Sequence, residues 1–187
     1  MPELALHILD LVQNSISAGA THILVSIVID TEADTLTFVI QDDGCGMSEE
    51  FLARVVSPFT TSRTTRKVGL GIPMIKQLAE MCAGDFEIES RVGAGTRLQA
   101  RFQASHLDLP PVGDLPGTIC SLLLGCPDGA DFRFLYSVDG REFELDTSEL
   151  REALGGVPLN EPEILDWVRQ YAAEGMAEVR SPEAEEE

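Results

Sequence analysis

An apolar strand that runs straight into Asp42-Asp43-Gly44-Cys45-Gly46-Met47 is the feature that most limits what this chain can fold into. Leu36-Thr37-Phe38-Val39-Ile40 reads as that strand, and a carboxylate follows at its end. The two glycines after it let backbone approach a flat ligand as closely as no larger residue would. Taken alone, the hexapeptide is equally an Asp-Gly turn from strand to helix. Three more sites stand in order around it. Asn14 lies upstream in Leu9-Asp10-Leu11-Val12-Gln13-Asn14-Ser15-Ile16-Ser17-Ala18-Gly19-Ala20, and Gly69-Leu70-Gly71-Ile72-Pro73 and Gly93-Ala94-Gly95-Thr96 lie downstream. Together the four would supply a metal ligand, a purine reader, a phosphate cradle and a closing wall.

Periodicity sets these sites on an alternating α/β unit over residues 1–104. In residues 3–18, Leu4, Ile8, Leu11, Val12 and Ile16 recur at helical spacing, and Gly19 stands where a helix-ending glycine would. His22–Ile29 places Ile23, Val25, Ile27 and Ile29 on one strand face. Ser48 caps a short helix over 48–56, with Glu49 and Glu50 in its first turn. Residues 58–68 read as a loop, 71–82 as a helix that Gly84 can end, and Phe86–Ser90 with Thr96–Phe102 as a strand pair. The succession implies a layered α/β sandwich.

Pro110, Pro111, Gly113, Pro116 and Gly117 mark a linker over 105–117. Beyond it Thr118–Leu124 is short and apolar, and Phe132–Ser137 and Arg141–Asp146 flank the hairpin signal Asp139-Gly140. Helices are expected over 147–154 and 161–177, the second capped by Asn160 with Pro162 early in it. The expectation is a small α/β domain over 118–180 and an acidic tail over 181–187. Ile164, Trp167 and Tyr171 fall at helical spacing and read as the core of that domain or, alternatively, as an exposed dimer face.

Each site residue has a chemistry that suits its place. Asn14 interrupts an apolar helix face; its amide oxygen suits a hard cation such as Mg2+, although a lone buried Asn also serves to bond a neighbouring loop. Asp10, one turn earlier, is placed to orient a water or take a hydroxyl proton, or simply to solvate the helix. Asp42 can accept from the exocyclic amine of adenine, a contact that guanine lacks, and Met47 can pack on the ring. Gly69-Leu70-Gly71 opens a helix whose N–H groups favour phosphate. Thr60 through Lys67, with Thr61, Arg63 and Lys67, is the one basic cluster of a very acidic chain and suits a mobile cover over a triphosphate. The Thr96 hydroxyl would reach the adenine edge.

The net charge of −19 excludes nonspecific binding to nucleic acid or an anionic membrane through the overall field. No apolar run reaches the ~20 residues of a spanning helix, and the start of the chain lacks a secretory pattern. A cytoplasmic protein with its 4 cysteines free is therefore expected. The spacing of His106, Cys120 and Cys126 fits no common zinc pattern.

With these motifs in order, residues 1–104 resemble the GHKL superfamily of gyrase B, large heat-shock chaperones, histidine kinases and MutL. The resemblance implies the Bergerat ATP-binding fold, helices over one face of a mixed sheet, with ATP and Mg2+ as ligands. It matches Asn14 to the magnesium-binding Asn and Asp42 to the adenine-reading Asp. Gly44 and Gly46 match the first glycine box, Gly69 and Gly71 the second, and Thr96 the threonine beside adenine. Ala18, Met47, Thr61, Arg63, Lys67 and Leu70 complete the expected nucleotide-binding set. The run Asn14 through Thr21 is similar to MutL and gyrase, whereas the short loop before Gly69 is similar to histidine kinases. Asp43 stands where the family usually has Asn, and Asp10 where hydrolysing members have Glu. The implied function is a kinase-like regulator that passes the γ-phosphate to an unidentified protein partner, with His106 read as a linker residue rather than an acceptor. Alternatives are a slow ATP-hydrolysing switch and a nucleotide-sensing module without chemistry. A homodimer is compatible with any of them.

Overall fold

The computed structural model describes residues 3–57, 70–126 and 129–181. Its elements are α1 (Leu4–Ser17), β1 (His22–Asp30), β2 (Thr35–Asp42), α2 (Glu49–Val56), α3 (Gly71–Met81), β3 (Asp85–Arg91), β4 (Gly95–Gln103), α4 (Leu115–Gly125), β5 (Asp131–Val138), β6 (Arg141–Asp146), α5 (Thr147–Leu154) and α6 (Pro162–Arg180).

The strands form one six-stranded sheet in the order β3-β4-β2-β1-β5-β6. Every neighbouring pair is antiparallel except β1 and β5, which are parallel. Strand alternation sends one side chain in two to the helical layer. The register aligns Ile88, Leu98, Ile40, Val25, Phe134 and Leu145 in a single row across all six strands. A second row runs through Phe86, Ala100, Phe38, Ile27, Tyr136 and Phe143. Against this face α1 buries Leu4, Ile8, Leu11 and Val12, α3 buries Ile72, Ile75 and Ala79, and α6 buries Val168, Ala172 and Met176. The result is the expected α/β sandwich of a mixed sheet and a helical layer.

Local chemistry explains the element ends. Gly19, at φ +74°, takes the left-handed conformation that terminates α1, and its N–H donates to the Ile16 carbonyl. Ser48 caps α2 by accepting from the Phe51 N–H. The segment expected as a linker is docked: the Leu4 and Ala5 N–H groups, orphans at the start of α1, donate to the Pro111 and Val112 carbonyls at 2.9 Å each. α4 begins inside that segment, where Asp114 accepts from the Gly117 N–H and Pro116 sits in the first turn. Asn160 does not cap α6; Glu161 holds that place without a side-chain bond, because Pro162 supplies the preset first turn.

Residues expected as a separate small unit extend the same sheet, since β5 pairs with β1 along its length and the buried cluster runs through both parts. Trp167 and Tyr171 are half-exposed rather than core, while Ile164 is partly buried. Their place in the core is taken by the next stripe round the helix, Val168, Ala172, Met176 and Val179. Among the described residues no helix is long and apolar enough to cross a membrane.

Candidate functional site

Asp42, the last residue of β2, lies between Ile23 of β1 and Thr96 of β4, and Ser90 of β3 lies beyond Thr96. These four residues lie side by side in a row near the end of the sheet, where α1 crosses it through Ser15. The buried Ser15 hydroxyl of α1 donates to Asp42 Oδ2 at 2.6 Å, and the Gly44 N–H donates to Oδ1 at 2.9 Å. The carboxylate is thus fixed in rotamer while each oxygen keeps lone-pair capacity toward the cavity.

The glycine loop is tied on two sides. Cys45 N–H donates to the Ala18 carbonyl, and the Gly93 N–H donates to the Cys45 carbonyl. A Cβ at Gly44 would stand 3.0 Å from Ala18. Gly46 has φ +68°, and a Cβ there would overlap the Arg91 carbonyl. Gly95, at φ +84°, is pressed likewise against the Asp42 carbonyl. Ser90 Oγ accepts from the Met47 N–H at 2.8 Å and lies 2.8 Å from Thr96 Oγ1, so one hydroxyl positions both walls.

These elements enclose a cavity of about 250 Å³. Of the expected residues, Asn14, Ala18, Asp42, Gly46, Met47 and Thr96 line it. Ser15, Cys45, Phe51 and Ile72 line it as well and were not expected. Ser15 carried a signal, being next to Asn14 in the helix that crosses the site; Ser90 carried none. Gly44 stands behind the wall, packed on Ala18. Gly71 opens α3 beside the cavity, where a Cβ would overlap the Asp10 carboxylate. That carboxylate is therefore at the helix N-terminus, where the dipole favours negative charge. Leu70, the residue before α3, is exposed. Thr61, Arg63, Lys67 and Gly69 lie outside the described residues.

Asn14 Nδ2 is buried and, among the described residues, has no hydrogen-bond partner. An unsatisfied buried amide costs ~1–3 kcal/mol, a cost that a ligand in the cavity would relieve. Among the described residues no three His, Cys, Asp or Glu side chains cluster to hold a metal. The Asn14 Nδ2 group donates and would meet an acceptor oxygen of a ligand, while its Oδ1 is the atom that would suit a hard cation.

Asp43 turns away from the cavity. It accepts from the Thr21 N–H (2.7 Å), the Thr21 hydroxyl (2.6 Å) and the His22 N–H (2.9 Å), with His22 Nδ1 at 3.1 Å. The Thr21 hydroxyl, with the His22 N–H next, holds its carboxyl far below the usual carboxylate range. Two acceptor oxygens meet those donors; an Asn amide offers one.

The pattern described as histidine kinase-, DNA gyrase B- and HSP90-like ATPase matches residues 2–106. This chain belongs to that family. Domains of this family bind ATP. Relatives within it include a putative sensor protein of Shewanella frigidimarina, 34% identical over 104 residues, covering 54% of this chain and 16% of that protein. The histidine protein kinase DivJ of Caulobacter vibrioides is 31% identical over 99 residues, covering 51% of this chain and 17% of that protein. The sensor kinase CckA of Brucella abortus is 26% identical over 147 residues, covering 67% and 16%. The chain thus spans less than a fifth of each of these relatives. The solved ATPase domain of Aquifex aeolicus MutL, complexed with ADP, has a TM-score of 0.49 and 19% identity, covering 83% of this chain and 68% of that one.

Proposed function

We propose that this protein binds Mg-ATP in the cavity between α1 and the end of the sheet and passes the γ-phosphate to a side chain of a partner protein. The observation that carries the reading is the convergence of Asn14, Asp42 and Thr96 on one cavity, with the Asn14 Nδ2, unpartnered among the described residues, in its wall. Asp42, anchored by Ser15 and the Gly44 N–H, accepts from the adenine amine. Thr96, positioned by Ser90, faces the same ring edge, and Met47 and Ile72 give it apolar walls. Asn14 would hold Mg2+, which when bound neutralises charge on the phosphates. Asp10, beside the start of α3, takes the proton of the attacking group or orients a water. Thr61, Arg63 and Lys67 belong to the same reading as the cover over the phosphates, and Gly69 as part of the glycine turn that cradles them.

Incubation with ATP labelled in its γ-phosphate, alone and with cell lysate, tests the transfer. Labelled protein that disappears with Asn14→Ala is the expected result; label on no protein at any pH refutes it. Calorimetry separates binding from chemistry. Asn14→Ala should remove the magnesium dependence of nucleotide binding, and Asp42→Ala should weaken adenine recognition by ~1–3 kcal/mol. Release of free phosphate without transfer, lost in Asp10→Asn, would instead identify a hydrolysing switch.

A further inference from the structure

The outer side of α6 meets the free edge of the sheet, and nothing in the nucleotide site uses either. Trp167 and Tyr171 are 50% and 42% exposed and stack with ring centroids 4.9 Å apart at 7°. Tyr171 in turn packs against Phe143 of β6 at 5.4 Å. Gly175 lets this happen, since a Cβ there would overlap the Phe143 ring. The aromatic stack therefore adjoins β6, the last strand of the sheet. Among the described residues, the main chain of residues 141–145 bonds to no main-chain group outside β5. Large stacked aromatics left half in water beside an unpaired strand edge are what a binding surface presents, because both are costly to leave bare.

Charge says what covers it. Glu163, Asp166, Glu174 and Glu178 are exposed on α6 and Glu142 on β6, while Glu144 of β6 is paired with Arg133 of β5. The cations of the two elements are engaged: Arg169 pairs with Asp114, Arg180 lies over the Tyr136 ring, and Arg141 of β6 donates to the Val179 carbonyl. A second copy of this chain, docked about a two-fold axis through the aromatic pair, would set Glu163 against Glu174 and add another charge of −19. A cationic chain meets the opposite field. An arginine guanidinium also lies flat on an aromatic face, which a lysine ammonium does not.

We propose that the α6–β6 face binds an extended, arginine-bearing segment of a partner protein, which adds a strand to β6 and lays a guanidinium on the Trp167–Tyr171 stack. The inference stands independently of the nucleotide reading, because nothing in it requires a ligand in the cavity.

Trp167 is the only tryptophan of the chain and reports directly on the face. The probe is a short synthetic peptide of alternating arginine and valine, titrated into the full-length protein while Trp167 emission is followed. Saturable quenching is expected. Replacing arginine by lysine at equal charge should weaken binding roughly two- to fivefold, the reach of one exposed cation–π contact. N-methylation of alternate backbone amides should abolish binding, because strand addition needs those N–H groups. Tyr171→Ala should weaken it comparably, with circular dichroism confirming the fold. Equal binding of the arginine, lysine and N-methylated peptides would show mere charge attraction and overturn the proposal. So would sedimentation showing a dimer of this chain that Trp167→Ala dissolves, since a second copy would then cover the face.

Discussion

Asn14, Asp42 and Thr96 show how little a residue's type says until its neighbours are placed. Asp42 could be recognised as a strand-end carboxylate, but its orientation comes from Ser15, on α1, and from the Gly44 N–H. Thr96 depends on Ser90, which lies across a strand pair and looks like any strand serine in the chain. The glycines divide in the same way. Gly46 and Gly93 both have positive φ, but only at Gly46 does a neighbouring backbone occupy the Cβ position. Gly93→Ala should therefore cost about 1 kcal/mol of conformational strain. Gly46→Ala should cost at least ~2–3 kcal/mol and weaken nucleotide binding as the loop shifts. Urea unfolding of the two variants decides this, and equal losses would show that the Arg91 contact does not constrain the loop.

Among the elements, the strand ends and turns are held by carboxylates. The Ser105 hydroxyl lowers the Asp34 pKa, the Thr21 hydroxyl that of Asp43, the Thr31 N–H that of Asp139 and the Ser148 hydroxyl that of Asp146. Each folded value lies below the unfolded one, so each contribution is complete above the unfolded value near pH ~4 and is lost as pH falls through the folded value. The urea midpoint should therefore hold near neutral pH and fall on acidification below pH ~4. In Asp43→Ala the difference from wild type should shrink across that same window. A difference that stays constant with pH would mean that the Asp43 bonds to Thr21 and His22 do not require its charge. Element identity was largely readable from periodicity and caps, as with Ser48 and Gly19. The exchange of Trp167 and Tyr171 for Val168 and Ala172 in the core was not, because neighbouring stripes of one helix differ only in what faces them.

For the whole molecule, the match to the ATPase family ends at residue 106, but the sheet does not. β5 completes β1, α4 and α6 continue the helical layer, and the Pro111 and Val112 carbonyls cap the helix that carries Asn14. Residues 1–106 alone would expose the β1 edge and leave the first N–H groups of α1 unpaired. This fragment should aggregate or give a poorly dispersed amide spectrum, whereas the full chain should give a folded one. A cooperative, monomeric fragment that binds ATP with unchanged affinity would show that residues 107–181 add nothing to the site.

The sequence by itself determined the family and the type of most elements, because helix and strand periods and glycine-bearing turns are local properties; it pointed to Asn14, Asp42 and Thr96 but not to Ser15, Cys45, Phe51 or Ile72, which line the same cavity. Tertiary structure decided which strands meet, which helix stripe is buried and which hydroxyls aim Asp42 and Thr96. Those outcomes depend on sheet order, and the pairing of β1 with β5 joins residues over a hundred positions apart, a separation that no local pattern encodes.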